Sequence, residues 1–183
     1  RLGQLRILTR DAMFGEMRTA KAHKESIDLI RIGRSEIEAN PDGISLSGPF
    51  LEALSLTGIL TRETLSDPSS SAFQTALDMI EKGAMSSMGF VWINTDGNDR
   101  SKQIAAGRTY MRVCLQATAD GLAMQPMSQP LQEYPEMAKF FKMAHSWLID
   151  QSGERVQMLA RIGYTKAVPA APRWSLTTRL KKA

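Results

Sequence analysis

The sequence contains one cysteine and two histidines in 183 residues. Cys114 has no second thiol in this sequence to pair with, so an internal disulfide and a need for an oxidising compartment are excluded. Its position on a predicted helix face favours a small buried hydrophobic residue over a reactive thiol. His23 and His145 lie far apart, and neither has carboxylates at metal-ligand spacing, so we expect no metal site.

Long apolar runs are also missing, because no segment approaches the roughly 20 residues that span a bilayer. We therefore expect no membrane partner. No signal peptide is recognisable, which favours a cytoplasmic location, although the first residue is Arg1 and processing or truncation would explain this. The net charge of +4 arises largely near the C-terminus. That basic tail lacks the interleaved aromatic residues of a single-strand platform, so we expect no nucleic-acid partner. Its cations are Arg173, Arg179, Lys181 and Lys182.

The usual catalytic motifs are absent as well. The sequence has no G-x-S-x-G, Walker loop, G-x-G-x-x-G or HExxH motif, and its carboxylates are scattered. We therefore assign no catalytic residue. An enzyme built on this chain needs a cofactor to carry the difficult step.

The length and composition suit one domain over residues 1–183 with an α+β fold. Two apolar, β-branched segments are predicted as central strands of the sheet, with Val156, Met158, Ala160 and Ile162 alternating along the second. The residues Asn40-Pro41-Asp42-Gly43 are predicted to form a turn after the first helices. The last residues of the chain are predicted to be extended. The predicted helices are Leu2–Phe14, Glu16–Arg34, a segment within Ile44–Leu60 closed by Gly58, Ala72–Met85 and Tyr134–Ile149, and the strands are Met88–Thr95 and Arg155–Tyr164.

The segment from Asp99 to Gln129 organises the rest of the chain. Asp99 is a predicted helix cap, and Gly121 is predicted to end the helix in the left-handed conformation. The next residues predict an edge strand that stops at Pro126, where backbone N–H and C=O groups stay free to meet a flat heterocycle. The predicted apolar face comprises Ile104, Gly107, Met111, Cys114, Leu115, Thr118 and Leu122.

This segment resembles the nitroreductase family, whose members bind FMN. The resemblance lies in AGRTYMRVCLQATADGLAMQPMSQPLQEYPEM and continues in GERVQMLARIGYTKAVPAAPRW. It is greatest for the two-lobed, nitroreductase-like branch, in which some precursors carry twin-arginine export signals. The resemblance implies a nitroreductase-like fold, with a mixed or antiparallel sheet flanked by helices.

The resemblance also implies a cofactor site. Residues Gln125, Pro126, Met127, Ser128 and Gln129 match the segment that lies along the isoalloxazine ring, and Arg173 matches the basic residue that binds the FMN phosphate. The implied activity is NAD(P)H-dependent reduction of nitroaromatic or quinone-like acceptors by a homodimer. A non-catalytic flavin-binding or flavin-storage protein is the alternative. The family's N-terminal Arg-Ser-x-Arg motif and first strand are not recognisable here, so we expect this chain to be the C-terminal part of such a domain.

Overall fold

A computed structural model describes residues 1–166 and 170–180 of the chain. The described residues form an α+β protein that is 57% helical, with small sheets flanked by helices. The α-helices are α1 Leu2–Arg18, α2 Ala20–Asp28, α3 Gly33–Ala39, α4 Pro49–Leu56, α5 Arg62–Ser66, α6 Ser71–Met85, α7 Arg100–Ala119 and α8 Ala138–Leu148. The strands are β1 Ile30–Ile32, β2 Ile44–Leu46, β3 Gly89–Asp96, β4 Ala123–Pro126 and β5 Glu154–Gly163.

The contacts divide the chain into two compact units. The first unit contains Arg1–Met17 and Met79–Lys166, and the second contains Arg18–Asp78 together with the described tail residues 170–180. Each unit has its own hydrophobic cluster and its own sheet. The organisation of residues 1–183 as one domain stays a prediction.

The sheet of the first unit is antiparallel and has the order β3–β5–β4. Strand β5 is therefore central, as predicted. Strand β3 was expected to be central as well, and that expectation is wrong because, among the described residues, β3 pairs only with β5 and forms an edge of this sheet. Val91 on β3 and Ile162 on β5 are only half-buried, so their truncation to Ala should cost less than a fully buried site would.

A β-bulge reverses the side-chain alternation along β5. Ile93 pairs with Met158 and Asn94 pairs with Val156, which leaves Gln157 as the extra residue. As a result Val156 and Leu159 both reach the main hydrophobic cluster, whereas Met158 is half-buried. Of the predicted alternating series, Val156 and Ala160 are buried as expected, whereas Met158 and Ile162 are only half-buried. The cluster comprises Leu5, Leu8, Ala12, Met127, Met137, Phe140, Ala144, Leu148, Val156 and Leu159.

Helix α7 contacts β3, β4 and β5 through small residues. Asp99 caps its start by accepting a hydrogen bond from the Lys102 N–H at 3.0 Å, and Gly121 follows its end with φ +70°, as predicted. The predicted apolar face is not the face that packs on the sheet, because Ala106 and Ala117 are the buried residues of α7. Small side chains let a helix approach a sheet closely. The larger residues Ile104, Met111 and Leu115 are exposed, and Cys114 is half-buried rather than buried.

The second unit is built around a short parallel pair, β1 and β2. The prediction of one helix over Glu16–Arg34 is wrong, because the helix is interrupted at Thr19 and Ile30–Ile32 is a strand. The turn at Gly43 makes this pairing possible. Gly43 has φ +71°, and a Cβ there would lie 2.2 Å from the carbonyl oxygen of Leu29, so only glycine fits. The core residues of this unit are Ile27, Ile30, Leu60 and Leu65.

Other predicted elements agree with the structure within a few residues. The segment Ile44–Leu60 contains β2 and α4, and Gly58 follows α4 with φ +73°. The helix predicted at Tyr134–Ile149 begins with a 3₁₀ turn and continues as α8. The tail predicted to be extended has no regular secondary structure over residues 170–175, but Leu176–Thr178 form a 3₁₀ turn, so the prediction is wrong there. Pro169, Lys181 and Lys182 lie outside the described residues.

The bulge generates a prediction about stability. Replacing Leu159, which is fully buried, with Ala should lower the free energy of unfolding by about 2–5 kcal/mol. Met158→Ala, one residue away on the same strand, should cost clearly less because Met158 is half-buried. Urea denaturation of both variants measures the difference. Equal losses would contradict the assignment of Leu159 to the core face.

His145 generates a second prediction, on pH. Its Nδ1 lies 2.9 Å from the Phe141 carbonyl oxygen, and the Val156 N–H donates to its Nε2 at 3.3 Å. Because a backbone N–H only donates, Nε2 must be unprotonated and the folded ring is neutral. Burial lowers the pKa of His145, and the nearby Arg155 guanidinium lowers it too, although the Phe141 carbonyl and Glu133 oppose the shift.

The sign of the pH effect follows from this lowered pKa. The unfolded chain takes up a proton near the ordinary histidine pKa of 6.5, whereas folded His145 resists protonation to lower pH. The unfolded state therefore binds more protons in that interval, and stability should fall as the pH drops below about 6.5. Thermal unfolding between pH 7 and pH 5 checks this. His145→Gln should flatten the pH dependence there, and an unchanged slope would contradict the role given to His145.

Candidate functional site

The edge strand β4 places the predicted flavin segment at the open side of the sheet. Gln125 pairs with Arg161 of β5, and the Met127 N–H continues the pairing by donating to the Leu159 carbonyl at 2.8 Å. In an antiparallel pair, alternate residues direct their backbone groups away from the partner strand. Met124 and Pro126 are the alternate residues here. Their backbone groups have no partner among the described residues, and Pro126 offers only its carbonyl.

The five predicted ring-binding residues differ in exposure. Gln125, Pro126 and Ser128 are exposed, Gln129 is half-buried and Met127 is 2% exposed. Met127 belongs to the main hydrophobic cluster, so its side chain anchors the segment to the core. Gln129 opens a 3₁₀ turn that ends at Leu131. The segment therefore presents polar side chains and free backbone groups on a firmly packed base.

Two glutamine side chains near this turn contain buried acceptors without a partner. Oε1 of Gln129 and Oε1 of Gln132 are both buried and accept no hydrogen bond from the described residues. Gln132 uses its amide nitrogen instead, which donates to Glu16 at 2.7 Å. A buried acceptor without a donor is costly. The Gln129 oxygen thus offers an unused acceptor at the end of the segment predicted to bind the ring.

A pocket of about 180 Å³ lies beside β4 in the first unit, and we call it the Arg161 pocket. The Arg161 side chain donates from Nε to Oε1 of Gln125 at 2.8 Å and from Nη1 to the Gly83 carbonyl near the end of α6. Apolar residues form the remaining wall. The pocket is lined by Met13, Met79, Ile80, Gly83, Ala84, Gln125, Met127 and Arg161.

Arg173, the predicted phosphate ligand, is exposed in the second unit. The ring segment belongs to the first unit, so neither unit by itself brings the six predicted residues together. Within residues 1–166 and 170–180, Arg173 has no ion-pair partner. Its guanidinium is thus not committed to a neighbouring carboxylate of the described chain.

The next residue, Trp174, holds the tail in place. Its indole Nε1 donates to Oδ2 of Asp42 at 3.0 Å, and Arg31 donates to Oδ1 of the same carboxylate at 2.9 Å. The Arg179 guanidinium lies over the indole ring, 4.4 Å from its centroid. The Trp174 hydrogen bond lowers the pKa of Asp42, and the Arg31 hydrogen bond acts in the same direction.

Sequence reasoning missed Arg161 and Trp174. A charged residue within the apolar run MLARIG of a central strand was the available signal for Arg161. Trp174 lies at the end of the second motif, and its contact with Asp42 joins residues 132 positions apart. No sequence spacing predicts such a contact.

The described residues contain no group of three or more His, Cys, Asp or Glu side chains placed to hold a metal ion. Among the same residues, none of the helices combines the length and apolar character needed to cross a membrane. Comparison of the chain with protein-family models, with curated proteins and with solved structures gives no match.

The Asp42 contact generates a prediction about the tail. Asp42→Ala removes the acceptor of the Trp174 indole, so trypsin should cleave after Arg173 and Arg179 faster than in the wild type. Mass spectrometry of timed digests measures the two cleavages. Asp67→Ala is the matched control, because Asp67 is also exposed but its carboxylate accepts hydrogen bonds only from Ser69 among the described residues. Equal cleavage of the wild type and Asp42→Ala would show that Trp174 does not depend on this carboxylate.

Proposed function

We propose that this chain is an FMN-binding oxidoreductase of the nitroreductase type, which uses NAD(P)H to reduce nitroaromatic or quinone-like acceptors. The supporting observation is the free edge of β4, where Met124 and Pro126 direct unpaired backbone groups away from the sheet. A flat heterocycle with donors and acceptors along its rim is the ligand that such an edge suits. FMN supplies the hydride chemistry, and the chain supplies binding and orientation.

The side chains of the segment support the same proposal. Ser128 is exposed, so its hydroxyl is available to the ring, and Oε1 of Gln129 is a buried acceptor that a ring N–H would satisfy. Met127 fixes the position of both residues through its place in the core. The Ser128 hydroxyl therefore needs no rearrangement to meet the flavin, whereas the Gln129 side chain has to turn toward the ring to present its oxygen.

The resemblance assigns the FMN phosphate to Arg173. A guanidinium fork binds a phosphate bidentately, which the ammonium of lysine does not do. The residue is exposed, and the adjoining Trp174 is held by Asp42, which restricts the backbone next to Arg173. The cation is thus available on an anchored part of the tail.

A flavin titration tests the proposal. FMN added to the purified protein should be bound, with quenched flavin fluorescence and a shifted visible spectrum. Arg173→Ala should weaken FMN binding by about 1.5–3 kcal/mol, the usual range for a hydrogen bond to a charged group. Riboflavin, which has no phosphate, should bind the wild type and the variant almost equally. Arg34→Ala is the control, since Arg34 is exposed and its ion pair with Glu38 is 3.9 Å long.

The outcomes separate the parts of the proposal. If the wild type binds neither flavin, the proposed function is wrong. Equal loss of FMN and riboflavin on mutating Arg173 would mean that the residue supports the fold rather than the phosphate. Bound FMN without NAD(P)H oxidation in the presence of a quinone would favour flavin storage over catalysis.

We also propose that the protein is a homodimer that uses the outer face of α7. The residues Ile104, Met111 and Leu115 form one apolar stripe, and they are 47%, 56% and 66% exposed. The helical spacing places this stripe opposite Ala106 and Ala117, which pack on the sheet. The apolar side of α8 does not share in this stripe, because Phe140, Ala144 and Leu148 fill the core. The stripe on α7 is therefore an uncovered apolar surface that a second copy can cover.

Sedimentation tests the dimer. Leu115→Glu places a charge in the stripe and should convert a micromolar dimer into monomer. Thr109→Glu adds the same charge to an exposed position on the flank of α7 and should leave the dimer intact. A wild-type monomer at micromolar concentration, or a dimer that tolerates Leu115→Glu, would contradict the proposed interface.

A further inference from the structure

The Arg161 pocket has the size of a single-ring ligand. Its volume is about 180 Å³, and an engineered apolar cavity of about 150 Å³ binds benzene. The three fused rings of a flavin exceed this space, so the flavin ring of the proposed cofactor does not occupy this pocket. Its occupant has to be smaller and of different shape.

Three methionines set the chemistry of the apolar wall. Met13, Met79 and Met127 come from α1, α6 and the segment after β4, and all three line the pocket. Thioether sulfur makes favourable contacts with aromatic rings, and the flexible methionine side chain adapts to the ring's outline. An aromatic ring therefore suits this wall better than a branched aliphatic chain.

The polar side of the pocket is formed by the Arg161 guanidinium, which has no carboxylate partner among the described residues. The two described hydrogen bonds of Arg161 go to neutral oxygens, those of Gln125 and Gly83. Arg161 is half-buried, and no carboxylate of the described residues lies within ion-pair distance of it. A guanidinium has five N–H donors, so several remain for a ligand. A half-buried charge is stabilised when an anion pairs with it.

Gly83 lets the guanidinium take up this position. A Cβ on residue 83 would lie 3.3 Å from Nη1 of Arg161, which is tighter than an ordinary contact. Through its hydrogen bond to the Gly83 carbonyl, Arg161 caps the end of α6. This bond does not neutralise the positive charge of Arg161 and does not use its other N–H donors. A carboxylate satisfies both, because it binds a guanidinium through two parallel hydrogen bonds.

We propose that the Arg161 pocket binds a small aromatic monocarboxylate. The ring lies among Met13, Met79 and Met127, and the carboxylate pairs with Arg161. The pocket shares Gln125 and Met127 with the proposed flavin segment, but its ligand contacts side chains and not the free backbone groups of Met124 and Pro126, so binding requires no flavin. The proposal and the proposed function can therefore fail independently of each other.

Methyl NMR on the full chain tests the proposal, with phenylacetate as the probe and phenylacetamide as its uncharged counterpart. The protein is labelled with ¹³C at the methionine methyl groups. Phenylacetate should bind with an affinity on the order of 1 mM, as expected for a ligand of this size. Ring-current shifts should appear at Met13, Met79 and Met127, while Met111 and Met143, which lie outside the pocket, stay unchanged. Phenylacetamide should bind at least about tenfold more weakly.

Two variants separate the charge from the cavity. Arg161→Gln should weaken phenylacetate binding about tenfold or more and leave phenylacetamide binding unchanged. Since Arg161 also bonds to Gly83, a second variant is needed that does not disturb this contact. Met79→Trp fills the pocket from its exposed rim and should abolish binding of phenylacetate, whereas Met111→Trp on the outer face of α7 should bind as the wild type does.

The wild-type comparison decides the proposal even if Arg161→Gln does not fold. Equal binding of acid and amide would overturn the role of Arg161. Shifts confined to methionines outside the pocket, or normal binding by Met79→Trp, would overturn the location. Absence of phenylacetate binding to the wild type at several times the expected dissociation constant would overturn the site altogether.

Discussion

Strand β5 is the constraint on which the first unit depends. It pairs with β3 on one edge and with β4 on the other, so both neighbouring strands take their register from it. The extra residue Gln157 reverses the alternation of the strand. Beyond this bulge, Leu159 faces the main cluster and Arg161 faces Gln125 across the sheet. One irregularity in one strand thus determines both the core and the polar side of the pocket.

The candidate site is an edge of this sheet rather than a cleft full of catalytic side chains. Strand β4 is short and ends in a proline, which limits the addition of another protein strand. Met127 anchors the following segment in the core, so the exposed residues on either side of it are held in place. The described residues near the edge supply hydrogen-bonding groups and one cation, and the proposed chemistry is correspondingly that of a bound cofactor.

In the second unit, the turn at Gly43 holds the C-terminal tail in place through Trp174. The turn at Gly43 brings Asp42 beside Arg31, and the paired carboxylate then accepts the indole N–H of Trp174. The cation–π contact of Arg179 covers the other side of the indole. The tail position of Arg173 is therefore a consequence of a turn more than a hundred residues earlier in the chain. A functional role for Arg173 depends on that turn as much as on the motif around it.

Several features of this protein follow from local sequence alone. The α+β class, the start of α7 at Asp99, its end before Gly121 and the edge strand that stops at Pro126 depend on caps, turns and short-range propensity, which act within a few residues. Other features required the tertiary structure. Which neighbour covers each face decides the outward stripe of α7, the edge position of β3 and the role of Arg161. The bulge at Gln157 reverses a side-chain alternation that the residues alone predict to continue. Burial is a property of long-range packing, so periodicity identifies an amphipathic element but does not determine which of its faces the rest of the chain will cover.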